Sequence, residues 1–266
     1  MFFCFLPDYE IQQISHCYNT TPMSKTYPGH FHTNCEILLV INGNIHYNID
    51  GEHYVLNPYD LVLIPPSAYH FLIPMSNTPY ESYVLNFSWE LLDSNTRELF
   101  SKPTIFNVSS DLLLHRMFGL FDSYYAIYNR TNFAKSSGYL LREILLYIRH
   151  AIPKPLKITP PTDSNPLVMK IVGYITAHIQ HNINSDVIAR ELNFSKSYLQ
   201  NIFSATMDIG LQQYINQKKI LAAHYDIQNG VSLNDVAAKY GYRNYSSFYR
   251  QYKNFFGHSP KVGKSK

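Results

Sequence analysis

Residues 241–260 read GYRNYSSFYRQYKNFFGHSP, and five of the ten residues from Ser247 to Phe256 carry aromatic rings. On a helix that advances about 100° per residue, Phe248, Tyr252 and Phe255 (i, i+4, i+7) fall on one stripe, the spacing of a face that buries against its neighbours. Ser246, Arg250 and Lys253 repeat that spacing on the opposite side. The segment therefore reads as a helix anchored by its rings, turning a narrow polar and cationic row outward.

An earlier stretch follows the same plan. In SDVIARELNFSKSYLQNIFSATM, from Ser185, the residues Ile188, Ala189, Leu192 and Phe194 match Val236, Ala237, Tyr240 and Tyr242 at an offset of 48. After one inserted residue, Ser195, Leu199 and Phe203 match Asn244, Phe248 and Tyr252 at an offset of 49. Each unit reads as a short helix, a tight turn and a second helix with Ser195 or Asn244 as its N-cap. Gly241 supplies the turn of the later unit, and Asn193, tolerant of left-handed geometry, that of the earlier one. The outward row of the earlier unit is Ser197, Asn201 and Ser204. Helix–turn–helix units of this size lay the second helix in the major groove of DNA. A connecting helix from about Leu211 to Gln228, roughly 28 Å long, would space the two units near one duplex turn of about 34 Å.

Charge supports that reading. Residues 167–266 hold twelve Lys/Arg against five Asp/Glu, a net +7, whereas the remainder holds ten against fourteen, a net −4. The C-terminal part suits a polyanion and the N-terminal part does not. Cys4, Cys17 and Cys35 form no paired or metal-type spacing, which points to free thiols in a reducing compartment. The apolar opening MFFCFLPDYE lacks a basic n-region and meets Pro7 and Asp8 too early for a signal peptide. No apolar run approaches the roughly 20 residues of a membrane-spanning helix. The expectation is a cytoplasmic protein with no membrane partner.

Three regions follow. Residues 1–152 begin with β-type alternation between about 30 and 90, punctuated by Asn42-Gly43 and Asp50-Gly51, which signal hairpins in a sandwich or barrel. Helical spacing then joins Leu114, Met117, Phe118, Phe121, Tyr125 and Tyr128, and again Leu140, Leu141, Ile144, Leu145 and Ile148. These helices could pack on their own domain or on a second copy of it. Residues 153–166, with five prolines in fourteen positions, read as an extended linker. Residues 167–266 form the double helix–turn–helix domain, so the fold class is α+β: a β-barrel with appended helices, then an all-α domain.

Residues 167–266 resemble the DNA-binding domain of the AraC-type transcriptional regulators. The later unit ends with the family's Phe-Lys…Gly-x-Ser-Pro element as Tyr252, Lys253, Gly257, Ser259 and Pro260. The earlier unit carries Tyr198, Leu199 and Phe203, followed by Tyr214, Ile215, Lys219, Ile220 and Ala223. Three positions depart from the pattern: Asp208 stands for a glycine, Lys219 for an arginine, and Asn201 where an arginine is common. The resemblance places base contacts at Ser197, Gln200 and Asn201 in the first unit and at Tyr245, Ser246 and Arg250 in the second. Arg250 suits a guanine through O6 and N7, and Gln200 or Asn201 an adenine. Lys196, Arg243 and Lys253 suit phosphates.

In PGHFHTNCEILLVING, residues His30, His32, Glu36 and Leu38 share parity, so on an extended strand they face one way, and LVLIPPSAYH ends at His70. Three histidines and a carboxylate make a donor set for a divalent metal. The spacing resembles the metal-binding motifs of cupin barrels, with Tyr59 and Ser67 where the second motif has glycines. That leaves two readings open. One is a metal cupin enzyme such as a dioxygenase or isomerase, or a metal sensor. The other, which the AraC resemblance implies, is a non-catalytic sensor barrel that uses these groups on a small molecule, expected to be a sugar. Tyr47, Tyr83 and Trp89 are candidate rings for stacking on it. The resemblance further implies an activator acting as a homodimer, with double-stranded DNA and RNA polymerase as partners and no cofactor.

Overall fold

The structure, a computed structural model, describes residues 1–19, 28–74, 79–151 and 164–261. The expected linker at 153–166 lies outside the described residues except for its last three positions. The strands are β1 (Phe2–Phe5), β2 (Ile11–Asn19), β3 (Cys35–Asn42), β4 (Ile45–Ile49), β5 (Glu52–Leu56), β6 (Asp60–Ile64), β7 (His70–Pro74), β8 (Tyr80–Phe87) and β9 (Thr104–Asn107). The helices are α1 (Ser94–Leu99), α2 (Leu112–Ile127), α3 (Arg130–Ala151), α4 (Pro166–His178), α5 (Ser185–Glu191), α6 (Lys196–Met207), α7 (Leu211–Gln228), α8 (Leu233–Lys239) and α9 (Tyr245–Phe256). The chain divides into two compact units, one of the strands with α1–α3 and one of α4–α9. The fold is thus α+β.

The N-terminal unit is antiparallel, as the alternation predicts, but its wall is not hydrogen-bonded all the way round. A six-stranded sheet runs β1-β2-β8-β3-β6-β9 and a three-stranded sheet runs β5-β4-β7. One expected hairpin differs accordingly: Asn42-Gly43, with Gly43 at φ +97°, leads from β3 in the large sheet to β4 in the small one. Asp50-Gly51 does join neighbours, β4 and β5, and both residues have positive φ (50° and 89°), which the right-handed twist of a hairpin favours.

Alternation along β3 sorts two cores. Cys35, Ile37 and Leu39 face a core shared with α2 and α3, which holds Leu114, Met117, Phe118, Phe121, Leu141 and Ile144. Leu38 and Val40 face the other way, toward Ile45, Tyr47, Ile49 and Leu56 of the small sheet. The apolar stripes of α2 and α3 therefore bury against their own sheet, whereas Tyr125 and Tyr128 at the end of the α2 stripe stay exposed. Each fully buried side chain of this size contributes about 1.5–3 kcal/mol. A half-buried network joins the layers: His16 Nδ1 lies 2.8 Å from Asp122 on α2, His16 Nε2 lies 2.9 Å from Glu81 on β8, and the Tyr83 hydroxyl donates to Asp122.

In the C-terminal unit a short and a long helix repeat around α7. Ile220, Ala223 and Ile227 of α7 pack with Val236, Ala237, Tyr240, Phe248 and Tyr252. Among the described residues no helix is long and apolar enough to cross a membrane.

Candidate functional site

Two matched devices hold α6 and α9. The Ser195 hydroxyl accepts from the Tyr198 N–H (3.3 Å) and the Asn244 side-chain oxygen from the Ser247 N–H (2.9 Å), so each helix starts at the expected cap. The preceding turns pass through left-handed backbone at Asn193 (φ +58°) and Gly241 (φ +74°). Gly241 is constrained twice over, because a Cβ there would stand 2.9 Å from the Asn182 side-chain oxygen. Leu199 and Phe203 on α6, and Phe248 and Tyr252 on α9, are fully buried. The Tyr252 hydroxyl is 2.6 Å from His224 Nδ1 on α7, which ties α9 to the connecting helix.

The opposite faces are open. Ser197, Asn201 and Ser204 on α6 and Tyr245, Ser246, Arg250 and Lys253 on α9 are exposed, and Gln200 is half-buried. Ser204 spends its hydroxyl on its own helix, donating to the Gln200 carbonyl at 2.8 Å. Lys196 is exposed and pairs with Asp186 at 2.9 Å, and Arg243 is exposed just before the Asn244 cap. Lys219 is buried. Its ammonium donates to the Ile183 carbonyl at 3.0 Å, and burial lowers its pKa. Asp208, in the place of the family's glycine, adopts the left-handed conformation (φ +54°) that a glycine would take at lower cost.

In the N-terminal unit His30, His32, Glu36 and His70 come together, with one donor atom from each inside a 4.8 Å span. They arrive by different routes from the one parity suggests. Glu36 lies on β3, but the chain bends at Thr33 and Asn34, so His30 and His32 precede the strand. His30 instead exchanges both backbone hydrogen bonds with His70 (3.1 and 3.2 Å). Ser67, at φ +64°, donates its N–H to the His32 carbonyl (2.8 Å), and Tyr59 is left-handed too (φ +67°), both where the related motif has glycine.

Each ring has one nitrogen at a backbone carbonyl: His30 Nδ1 at Pro28 (3.3 Å), His32 Nδ1 at Asn34 (2.9 Å) and His70 Nδ1 at Ala68 (3.0 Å). With Nδ1–H given to a carbonyl, Nε2 of a neutral ring is left with its lone pair, and only a protonated ring donates through Nε2 to Glu36. Nε2 of His32 and of His70 lie 3.1 and 3.7 Å from one Glu36 oxygen. Burial raises the Glu36 pKa, but His70 and His32 outweigh it and hold the carboxyl well below the usual range. Tyr47 is buried beside this cluster, its ring centroid 6.1 Å from that of His70. Burial, then Glu36, pushes its hydroxyl pKa well up. Tyr83 and Trp89 are not brought there. Tyr83 packs in the core under α2, and Trp89 lies against that same core with Arg97 over its ring at 5.3 Å.

The model of the AraC-like ligand binding domain matches residues 15–145, and a helix-turn-helix domain model matches residues 188–264. An uncharacterised HTH-type transcriptional regulator of Staphylococcus aureus (strain MSSA476) is 23% identical over 123 residues, which is 46% of this chain. That match spans only 16% of the staphylococcal protein's length. Regulatory protein SoxS of Escherichia coli K12 is 28% identical over 95 residues, covering 35% of this chain and 89% of SoxS. The crystal structure of a single-residue variant of apo ToxT from Vibrio cholerae aligns over 95% of this chain and 96% of its own at 14% identity, with a TM-score of 0.41.

Proposed function

This chain belongs to the AraC family of transcriptional regulators, with a ligand-binding domain followed by a helix-turn-helix DNA-binding domain, and from that premise we propose a ligand-controlled activator that reads two successive major grooves. The observation that carries the reading is the pair of capped, ring-anchored helices α6 and α9 with exposed polar faces. Arg250 reads a guanine, Tyr245, Ser246, Ser197, Gln200 and Asn201 line the bases, and Lys196, Arg243 and Lys253 meet phosphates.

The effector is a small polyhydroxylated molecule, of which a sugar is the simplest case. Tyr47 and the cluster of His30, His32, Glu36 and His70 supply a ring and hydrogen-bonding groups for it in the N-terminal domain. Its binding changes how two copies of the chain pair, and so whether both DNA-binding domains engage their sites and RNA polymerase. An effector shifts DNA affinity only through its different affinity for the two states, and a tether makes the second contact effectively intramolecular.

Thermal unfolding of the full chain against a panel of mono- and disaccharides tests the sensor. A ligand at a hundred times its Kd adds about 2.7 kcal/mol, and the same compound must alter operator affinity or spacing. A sugar that stabilises the chain but leaves operator binding and transcription unchanged contradicts the proposal. The pinned Nδ1 protons favour one second reading, a divalent metal held by the three Nε2 atoms and Glu36 as part of the sensor. In that case chelation lowers the melting temperature and sugars do nothing.

A further inference from the structure

A pocket of about 270 Å³ opens between the two helix–turn–helix units. It is lined by the loop before α5 (Asn184), by α7 (Gln212, Asn216, Lys219) and by the second unit (Arg243, Gln251), with no Asp or Glu among the described residues that line it.

Backbone donors fix how Asn184 and Gln212 point, and side-chain partners orient Asn216 and Gln251. The N–H groups of Asp186 and Val187 both need the Asn184 oxygen, 3.0 Å from each. The Ser185 N–H takes the Gln212 oxygen at 3.1 Å. Gln212 must then offer its nitrogen, which donates to the Asn216 oxygen at 3.0 Å. The Tyr242 hydroxyl donates to the Gln251 oxygen at 3.2 Å. In four of the five amides that line the pocket the oxygen is engaged within the protein and the NH₂ group remains, and the fifth, Asn182, sets its oxygen beside Gly241. Lys219 adds an ammonium with three donors, one of them on the Ile183 carbonyl, and Arg243 adds a guanidinium. A lining of donors and cations without carboxylates favours an anion.

We infer that this pocket is a phosphate-binding site, filled in the DNA complex by a backbone phosphate of the strand that crosses between the two major grooves. The inference rests on the two-groove reading above. The pocket's lining joins the loop before α5 in the first unit, the connecting helix α7 and the turn and α9 of the second unit, and a strand crossing from one groove to the next passes the join of the two units. A free phosphate or phosphorylated metabolite has the same chemistry and is the alternative source.

The test uses the full chain and the duplex it selects from a random library. Replacing the phosphates between the two half-sites one at a time by neutral methylphosphonates should lower affinity about tenfold at one or two positions. Asn216→Asp, isosteric but presenting an acceptor, should itself cost about tenfold and abolish the methylphosphonate effect. Arg243→Gln, a second variant at an exposed position, should lower the salt slope by about one. Specific binding indifferent to every methylphosphonate and to Asn216→Asp overturns the site. Saturable stabilisation of the DNA-free chain by millimolar inorganic phosphate, with duplex affinity indifferent to methylphosphonates, overturns the assignment to DNA in favour of a free anion. Failure to select any preferred sequence overturns the two-groove reading itself, and is distinguishable because specific binding is then absent instead of insensitive.

Discussion

The two helix–turn–helix units share a skeleton and differ in surface. Leu199 and Phe203 occupy the places of Phe248 and Tyr252, all fully buried, and both turns are left-handed. Their exposed rows do not correspond in charge: Ser197, Asn201 and Ser204 carry none, whereas Arg250 and Lys253 give the second unit two cations. Packing and turn geometry are set by the fold and so repeat; the outward row is free of that constraint and can be divided between the units. On the proposed reading the second unit supplies most of the base discrimination, and the first mainly fixes position and spacing.

The largest expected effect probes the shared skeleton. Phe203→Ala and Phe248→Ala should each destabilise by about 3–5 kcal/mol in urea unfolding, and similar costs would sustain the equivalence of the units. Next, Gly241→Ala should cost about 2–3 kcal/mol, because a Cβ adds left-handed strain and meets Asn182. Asn193→Ala lacks a comparable collision and should cost less.

On the surface side, Arg250→Ala should relax preference at one base pair by about 1–3 kcal/mol, read by competition between single-base variants of the site. Asn201→Ala should change preferences less. Lys253→Ala should weaken every sequence alike and lower the salt slope by about one; uniform weakening by Arg250→Ala as well would remove the distinction between base reader and phosphate contact. The smallest effect is at the one turn where the first unit departs from the family. Asp208→Gly should stabilise by about 0.5 kcal/mol, since relief of left-handed strain slightly exceeds the entropy a glycine adds to the unfolded chain.

Much of the C-terminal domain was legible in the chain because its signals are local. Ser195, Asn244, Asn193 and Gly241 announce caps and turns within a few residues, and α7 runs over the expected Leu211–Gln228. The N-terminal domain was legible in type but not in closure, since alternation identifies strands and says nothing of which sheet each joins; hence Asn42-Gly43 crosses between sheets. Parity grouped His30, His32 and Glu36, although a bend and the His30–His70 pairing do the gathering. Tyr83 and Trp89 could not be assigned a face from sequence, because aromatic character suits either core. His16 with Glu81 and Asp122 went unnoticed for a similar reason, as the three are joined only by long-range packing. The donor-lined pocket carries no sequence signal at all: its amides are scattered from Asn182 to Gln251, and their orientations follow from backbone and side-chain partners that only the fold brings together.

The most direct test is selection of duplexes from a random library by the full chain, followed by affinity measurement at fixed salt. The account predicts two half-sites about 10–10.5 base pairs apart, with a sharply preferred guanine in the half-site lost on Arg250→Ala and weaker preferences in the other. A single half-site, or two equally sharp half-sites that both survive Arg250→Ala, would contradict it.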